Sequence, residues 1–442
     1  MLSDPIVALA TPPGRSALAV IRLSGRGAFD VAGRVVDGFR THPPRQARLA
    51  TFRNAAGTAV DRGLYTVFPA PRSYTGEDLV ELSCHGGLAV PAQLLAALHV
   101  AGARPAHPGE FTRRAVLNGK MDLVQAEAVG DLIDATAPVQ AGAALAQLEG
   151  GLSRRLGELR ERLIELQSLL GYDIDFPGED DGPVAPARIA AALDEAAQRV
   201  EDLLATAPSG ERLREGALVV FAGRPNTGKS SLFNALLGAE RALVTEIPGT
   251  TRDAIEAHTD FLGWPVRLAD TAGLQDAADR VERLGIEVSH RYLAAADLVL
   301  LCSEAGRPLG TEEVGILERR SSILVRTKVD LVPQPGPNEL AVSSFTGQGL
   351  GALRRVIAER IFGEQLALAD LEPALTRERH REALARAREA LADAQPHLGP
   401  GGDPVLVAHH VRRATLALDE LVGVIDVEDV LAGIFANFCV GK

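Results

Sequence analysis

The chain has 442 residues, 46% of them hydrophobic, and 58 Asp and Glu against 46 Lys and Arg leave a formal charge of −12. At about 150 residues per domain the length implies two or three domains. The apolar content excludes long disordered stretches, and the acidity excludes a molecule that holds a polyanion through its own overall field.

In chain order, residues 1–118 carry 13 arginines, no lysine and 8 acids, a local charge of +5 that leaves −17 for the remainder. Short alternating segments at 19–23, 64–68 and 78–83, broken by Gly and Pro and followed by a helical stretch at 93–100, predict an α+β domain. From Leu123 the period turns helical. Leu145, Leu148, Leu152, Leu156, Leu159, Leu163, Leu166 and Leu170 recur every three or four residues, the packing face of one long helix ending near Gly171. The acidic run at 173–181 lacks the alternation of a calcium loop and reads as a solvated turn. A further helix is predicted at 189–205.

Between 216 and 365 apolar strands at 217–221, 266–268, 298–302, 322–325 and 340–342 alternate with helices at 230–237 and 349–362, a doubly wound α/β pattern with a mainly parallel sheet. Helical sequence returns at 376–394 and 405–422 and ends in an apolar tail, 430–442. The expected fold class is multidomain, α/β plus α+β plus all-α. Residues 1–118 form the α+β part, 119–215 and 366–442 the two halves of a discontinuous helical domain, and 216–365 an α/β domain inserted between them. The longest purely apolar runs, such as 298–302, are far short of the ~20 residues of a membrane span. The first residues have no export signal, and Cys84, Cys302 and Cys439 are too scattered for a disulfide framework or a zinc site. The expected setting is the cytoplasm.

Residues 223–231 read GRPNTGKSS between a strand and a helix, a phosphate-binding loop that spans Asn226, Thr227, Gly228, Lys229, Ser230 and Ser231. Glycines let backbone N–H groups wrap phosphates, Lys229 reaches the β and γ groups, and the Ser230 hydroxyl takes Mg²⁺. Four elements follow in order. The loop Thr245-Glu246-Ile247-Pro248-Gly249-Thr250-Thr251 offers a Thr to complete the Mg²⁺ shell. Asp270-Thr271-Ala272-Gly273 offers a carboxylate for Mg²⁺ through water and a Gly N–H for the γ-phosphate. In Thr327-Lys328-Val329-Asp330 the carboxylate suits a guanine edge and the Lys stem lies on the base. Ser343-Ser344 supplies a backbone N–H for the guanine oxygen. The set predicts a GTPase domain. Thr327 stands where GTPases usually have Asn, so a weaker tie between base strand and phosphate loop is expected. Leu274 replaces the Gln that often orients the attacking water, leaving Gln275, Glu282 and Arg283 as polar candidates. Asn226 with oxygens of Thr245, Ile247 and Thr250 can hold a monovalent cation in place of an arginine finger.

These motifs, with VERLGIE after DTAGL, the C-terminal FCVGK and the N-terminal segments ATPPGR, IRLSG, SYTGEDLVELSCHGG and PGEFTRRAVLNGKMDLVQAEA, together resemble the MnmE (TrmE) family of bacterial tRNA-modification GTPases over nearly the whole chain. The resemblance implies a folate-binding and dimerisation domain at 1–118, a split helical domain and an inserted GTPase domain. It also implies a homodimer that works with a flavoprotein, MnmG, to add an aminomethyl-type group at position 5 of the wobble uridine of certain tRNAs. The one-carbon unit would come from 5-formyl- or 5,10-methylene-tetrahydrofolate, with no role for DNA or a membrane. By matching motif, Arg22, Glu81, Lys120 and Lys442 are the implied folate contacts. Asn226, Thr245, Ile247 and Thr250 are the implied K⁺ ligands, Ser230 and Thr251 the Mg²⁺ ligands, and Glu282 the general base or water-positioning group.

Two other readings fit part of the pattern. A regulatory ribosome-assembly GTPase would usually append a basic RNA-binding module, and the acidic remainder shows none. A folate-dependent one-carbon enzyme acting on a small metabolite suits the basic N-terminal part equally well. Cys84 and His85 are neighbours on a strand and face opposite ways, which favours a structural cysteine. Cys439 is either a low-pKa thiol near Lys442 or part of a buried anchor, Phe438-Cys439-Val440, that delivers Lys442 to the folate, and the anchor is the expectation.

Overall fold

The computed structural model describes residues 4–175, 185–238, 255–270, 291–319, 321–332, 340–363, 374–399, 401–423, 434–435 and 438–441. The expectations placed on 245–251, 271–275, 282–283 and 442 lie outside the described residues. The chain divides into two compact units, Met1–Gly130 with Leu416–Lys442, and Asp131–Thr415.

The first unit is built on strands β1 (Ile6–Leu9), β2 (Leu18–Ser24), β3 (Arg48–Arg53), β4 (Ala59–Phe68), β5 (Leu79–His85) and the short β6 (Arg104–Pro105), with α1 (Ala28–Val35) after β2 and α2 (Ala89–Val100) after β5. Their order in the sheet is β3-β4-β5-β2-β1-β6. Pairing is antiparallel except between β1 and β6. Alternation along the strands sends Ile21, Leu23, Phe52, Tyr65, Val67, Val80, Leu82 and Cys84 to one face, where α1 and α2 cover them. The sequence pattern captured the middle of this sheet but missed β1 and β3. Helix α3 (Glu110–Leu117) and helix α4 (Leu123–Asp134) follow. Phe435 and Phe438 of the C-terminal segment pack with Leu123 and Ala126, and a Cβ at Gly109 would sit 2.9 Å from Phe435.

The second unit opens with α5 (Pro138–Leu148), α6 (Gly151–Asp175), α7 (Pro186–Ala205) and α8 (Ala207–Glu215). The single long leucine-striped helix is therefore two helices, broken at Glu149-Gly150, where Gly150 takes φ 87. That left-handed conformation is open to glycine and ends a helix. Leu152, Leu156, Leu159, Leu163, Leu166 and Leu170 of α6 are all buried, whereas Leu145 of α5 is exposed, so the stripe from Leu152 onward is one face and its first members are not. The helix also runs on to Asp175, past the expected end at Gly171.

The sheet of this unit follows, from β7 (Ala217–Ala222) through α9 (Lys229–Leu237), β8 (Ile255–Phe261), β9 (Trp264–Asp270), β10 (Leu298–Glu304), α10 (Thr311–Arg319), β11 (Ser322–Thr327), β12 (Leu340–Ala341) and α11 (Leu350–Phe362). The order is β12-β11-β10-β7-β9-β8, parallel throughout except for the hairpin β8–β9. That hairpin turns through Leu262 and Gly263, both at positive φ, as a two-residue turn matched to strand twist requires. Central strands β7 and β10 are buried almost end to end, which explains their unbroken apolar sequence. Helices α12 (Glu378–Ala394) and α13 (Pro404–Val422) complete the described elements, and α12 packs against α7.

Candidate functional site

The phosphate loop links β7 to α9. Gly223 (φ 135) passes so close to β10 that a Cβ there would lie 2.2 Å from the Cys302 carbonyl oxygen, and Asn226 (φ 65) and Gly228 (φ 88) supply the left-handed bends that aim backbone N–H groups at one point. Helix α9 starts directly at Lys229, so its positive end faces the same point. The Lys229 ammonium donates to the carbonyls of Gly223 (2.9 Å) and Arg224 (2.8 Å). Burial lowers its pKa below the usual lysine value, opposed by Cys302 and Asp270. Asp270 ends β9 and is buried.

The base-binding strand meets this loop through side chains. Thr327 at the end of β11 donates its hydroxyl proton to the Thr227 carbonyl at 2.6 Å, buried from water. The tie between base strand and phosphate loop is thus made by a hydroxyl where an amide usually stands. Lys328 donates to the Asn226 carbonyl at 2.7 Å and to the Glu304 carboxylate. Asp330 lies in the 3-10 turn Val329–Leu331. Ser343 gives its N–H to the Gln348 carbonyl and its hydroxyl accepts from the Thr346 N–H, so of the Ser343-Ser344 pair the first amide is already engaged within the loop. Two partners escaped sequence reasoning. Glu304 holds the Lys328 ammonium, and Glu313 approaches Arg224 of the phosphate loop at 3.6 Å. Only the motif residues have a fixed spacing; their partners come from other strands and helices.

In the first unit Arg22 and Glu81 face each other across β2 and β5, with Nη2 to Oε1 at 2.8 Å and Nε to Oε1 at 3.2 Å. The guanidinium lies 5.2 Å from the Tyr74 ring centre and 5.8 Å from that of Phe111, and Nη1 donates to the Gly441 carbonyl at 3.3 Å. Burial raises the Tyr74 phenol pKa, and its hydroxyl meets that of Thr112. The C-terminal segment is held tightly: a Cβ at Gly441 would be 2.5 Å from the Leu9 carbonyl oxygen. Lys120 donates to the Pro71 carbonyl at 3.2 Å. The structure thus brings together Arg22 and Glu81, two members of the set that the resemblance implied, while the neighbouring rings and the Gly441 carbonyl carried no signal in spacing.

The cysteines behave differently from one another. Cys84 is buried, with burial pushing its thiol up to about 11, while His85 on the opposite face binds Asp61 at 2.8 Å. Cys302 is fully enclosed and pushed up to about 12. Of the expected anchor Phe438-Cys439-Val440, Cys439 and Val440 are exposed and only Phe438 packs into the core. Phe435 and Phe438 do the anchoring, and Cys439 contributes a backbone carbonyl to the Gly109 N–H. Among the described residues no group of three His, Cys, Asp or Glu is arranged to hold a metal, and no helix is long and apolar enough to cross a membrane.

A phosphate loop between the first strand and first helix of a mostly parallel sheet, with a Thr-Lys-x-Asp base motif two strands away, defines a P-loop GTPase. Residues 5–120 match the family profile described as the GTP-binding protein TrmE N-terminus, and residues 123–439 match the MnmE helical domain. Curated relatives named tRNA modification GTPase MnmE include one from Thermus thermophilus, 44% identical over 448 residues, covering 100% of this chain and 99% of the relative. That of Aquifex aeolicus is 40% identical over 454 residues, covering 100% of each chain. A solved structure of the G domain of the Thermotoga maritima FeoB iron transporter is 30% identical over 33% of this chain and 98% of its own, with a TM-score of 0.26. The chain belongs to the MnmE family of tRNA modification GTPases.

Proposed function

We propose that this protein hydrolyses GTP and, with a flavoprotein of the MnmG type, modifies position 5 of the wobble uridine of certain tRNAs with a one-carbon unit from a reduced folate. The family supports the tRNA substrate, and one arrangement supports the folate. Arg22 and Glu81 stand on the sheet face opposite α1 and α2, beside Tyr74 and Phe111, with the C-terminal segment bonded to the guanidinium. A carboxylate accepts from the amino and ring N–H groups of a pteridine, an arginine meets its anionic or carbonyl oxygens, and aromatic rings cover its faces. Lys120 and Lys442 complete the proposed set, and the local charge of +5 suits an anionic folate tail.

In the second unit Lys229 and the amides of residues 226–231 bind the phosphates of GTP, while Lys328, Asp330 and the Ser343-Ser344 loop bind guanine. The oxygen donors present fit hard cations. Ser230 opens α9 within reach of the loop and, with Thr251, would hold Mg²⁺. Asn226, whose left-handed turn sits in the loop, would hold K⁺ with Thr245, Ile247 and Thr250. When bound, such ions neutralise charge on the β and γ groups. Glu282 orients the attacking water in this scheme. The protein acts as a cytoplasmic homodimer.

The decisive measurement is mass analysis of wobble nucleosides from cells that lack the protein. A 5-substituted uridine should disappear and return when the gene is restored. An unchanged profile would reject the modification reading.

A further inference from the structure

The two connections between the helices and the sheet of the second unit end on one carboxylate. Helix α8 runs into β7 through Glu215 and Gly216, and its Arg214 donates to Asp131 Oδ1 at 3.1 Å. After the sheet, the chain re-enters helix at Glu378, and Arg377, the residue before it, donates to the same oxygen at 2.6 Å. Asp131 sits near the end of α4, far in sequence from both arginines, and its side chain is only 13% exposed.

The surroundings brace the same junction. Gln140 on α5 donates to the Arg214 carbonyl at 2.8 Å while its oxygen accepts from the Thr136 and Ala137 amides. The Val139 N–H meets the Gly263 carbonyl in the β8–β9 turn, and Val139 and Ala143 pack against the apolar core of the sheet. On the return side the Leu375 N–H donates to the Thr206 hydroxyl at 3.0 Å. Beside Asp131 lies a cleft of about 270 Å³ lined by Asp134, Gln147, His258 and Arg267 among others. Asp131 Oδ2 and Gln147 Nε2 are buried there without a hydrogen-bond partner among the described residues. A junction held largely by ion pairs and hydrogen bonds, with a cleft at its side, can be released without unfolding either side.

We propose that Asp131 is a positioning residue that fixes the orientation of the nucleotide-binding sheet on the helices, by clasping the arginines at its entry and exit. The role of this orientation in tRNA modification rests on the function proposed above; the clasp itself does not. Replacing the carboxylate with an amide keeps one acceptor but removes the negative charge that holds the two guanidiniums together. The nucleotide site, formed by other residues, is untouched.

The test uses the full-length chain with Asp131→Asn. Spin labels at Glu312→Cys on α10 and Glu389→Cys on α12, in a Cys439→Ser background diluted with unlabelled protein, report the distance between sheet and helices. The unlabelled variant is assayed for GTP turnover and for modified uridine formed per GTP hydrolysed, a ratio that mere loss of stability leaves alone. We expect a broadened distance distribution, GTP turnover within about twofold of wild type, and a ratio lowered by about fivefold or more, the scale of a lost coupling contact. Rescue of both readouts by Asp131→Glu supports the clasp. A distance distribution as narrow as wild type, or an unchanged ratio, overturns the proposal. If Asp131→Asn does not fold, Arg377→Lys, which keeps the charge but loses the planar fork, is judged by the same criteria. Absence of any modified uridine with the wild-type protein would reject the proposed function, while the distance measurement would still decide the clasp.

Discussion

The two six-stranded sheets put their chemistry in different places. In the second unit the central strands are covered on both faces, so functional groups gather where strands end, as Asp270 does at the end of β9 and Thr327 at the end of β11. In the first unit Arg22 and Glu81 lie in mid-strand, on the sheet face opposite α1 and α2, beside Tyr74 and Phe111. In the proposed sites the parallel sheet would meet its ligand with loops and backbone amides, and the antiparallel one with paired side chains. It follows that the first kind of site is sensitive to glycines and loop geometry, and the second to the identity of individual side chains.

The sharpest test of that contrast is Lys229→Ala, which should reduce GTP turnover by about 100-fold or more while leaving reduced-folate binding by calorimetry unchanged. A matching loss of folate affinity would mean the two sites do not act separately. Next in size, Asp330→Asn should weaken GTP binding by about 100-fold and favour xanthosine triphosphate, because an amide offers a donor where the carboxylate accepts from the base. Competition between labelled nucleotides would read it. Arg22→Ala should lower reduced-folate affinity by roughly 10-fold or more, since a charged hydrogen-bond partner is lost and Glu81 is left unpaired, with GTP turnover within about twofold of wild type. Unchanged calorimetric affinity would remove Arg22 from the site.

The smallest effect concerns the buried ion cluster of the first unit, where Glu110 lies between Arg104 and Arg114. Burial pushes its carboxyl upward, but hydrogen bonds from Arg104, the His107 amide and Arg114 outweigh this and hold it at about 2, against an ordinary 4.5. A carboxylate depressed in the folded state contributes stability above its unfolded value and loses it as pH falls from about 4.5 towards about 2. Glu110→Gln should therefore lower Tm by a few degrees at pH 7, with the gap to wild type closing across that acid window. A gap independent of pH would assign the cost to packing instead of charge.

How far the sequence revealed this molecule depended on the range of the interaction. Strands β7 and β10 and the loop between β7 and α9 were legible because their signals are local, an apolar run and a fixed spacing of Gly, Lys and Ser. Strand β3 was not, since its LATFR pattern makes sense only beside β4. The leucine stripe misled because period alone does not register that Gly150 turns left-handed between two helical segments. Cys439 misled because the burial belonged to its phenylalanine neighbours. At the sites, motif residues were legible, while Tyr74, Phe111, Glu304 and Glu313 were not, because each reaches its partner from a distant part of the chain.

The hydroxyl of Thr327 carries one further implication. An asparagine amide has two protons and an acceptor, so it can bind the phosphate loop and still offer a proton to a purine ring nitrogen. Thr327 has a single proton, and it is directed at the Thr227 carbonyl. A base that approaches this position meets lone pairs only. In the proposed guanine site, recognition of the base would fall on the Asp330 carboxylate and the loop amides that follow Ser343, a narrower reading head than the usual asparagine provides.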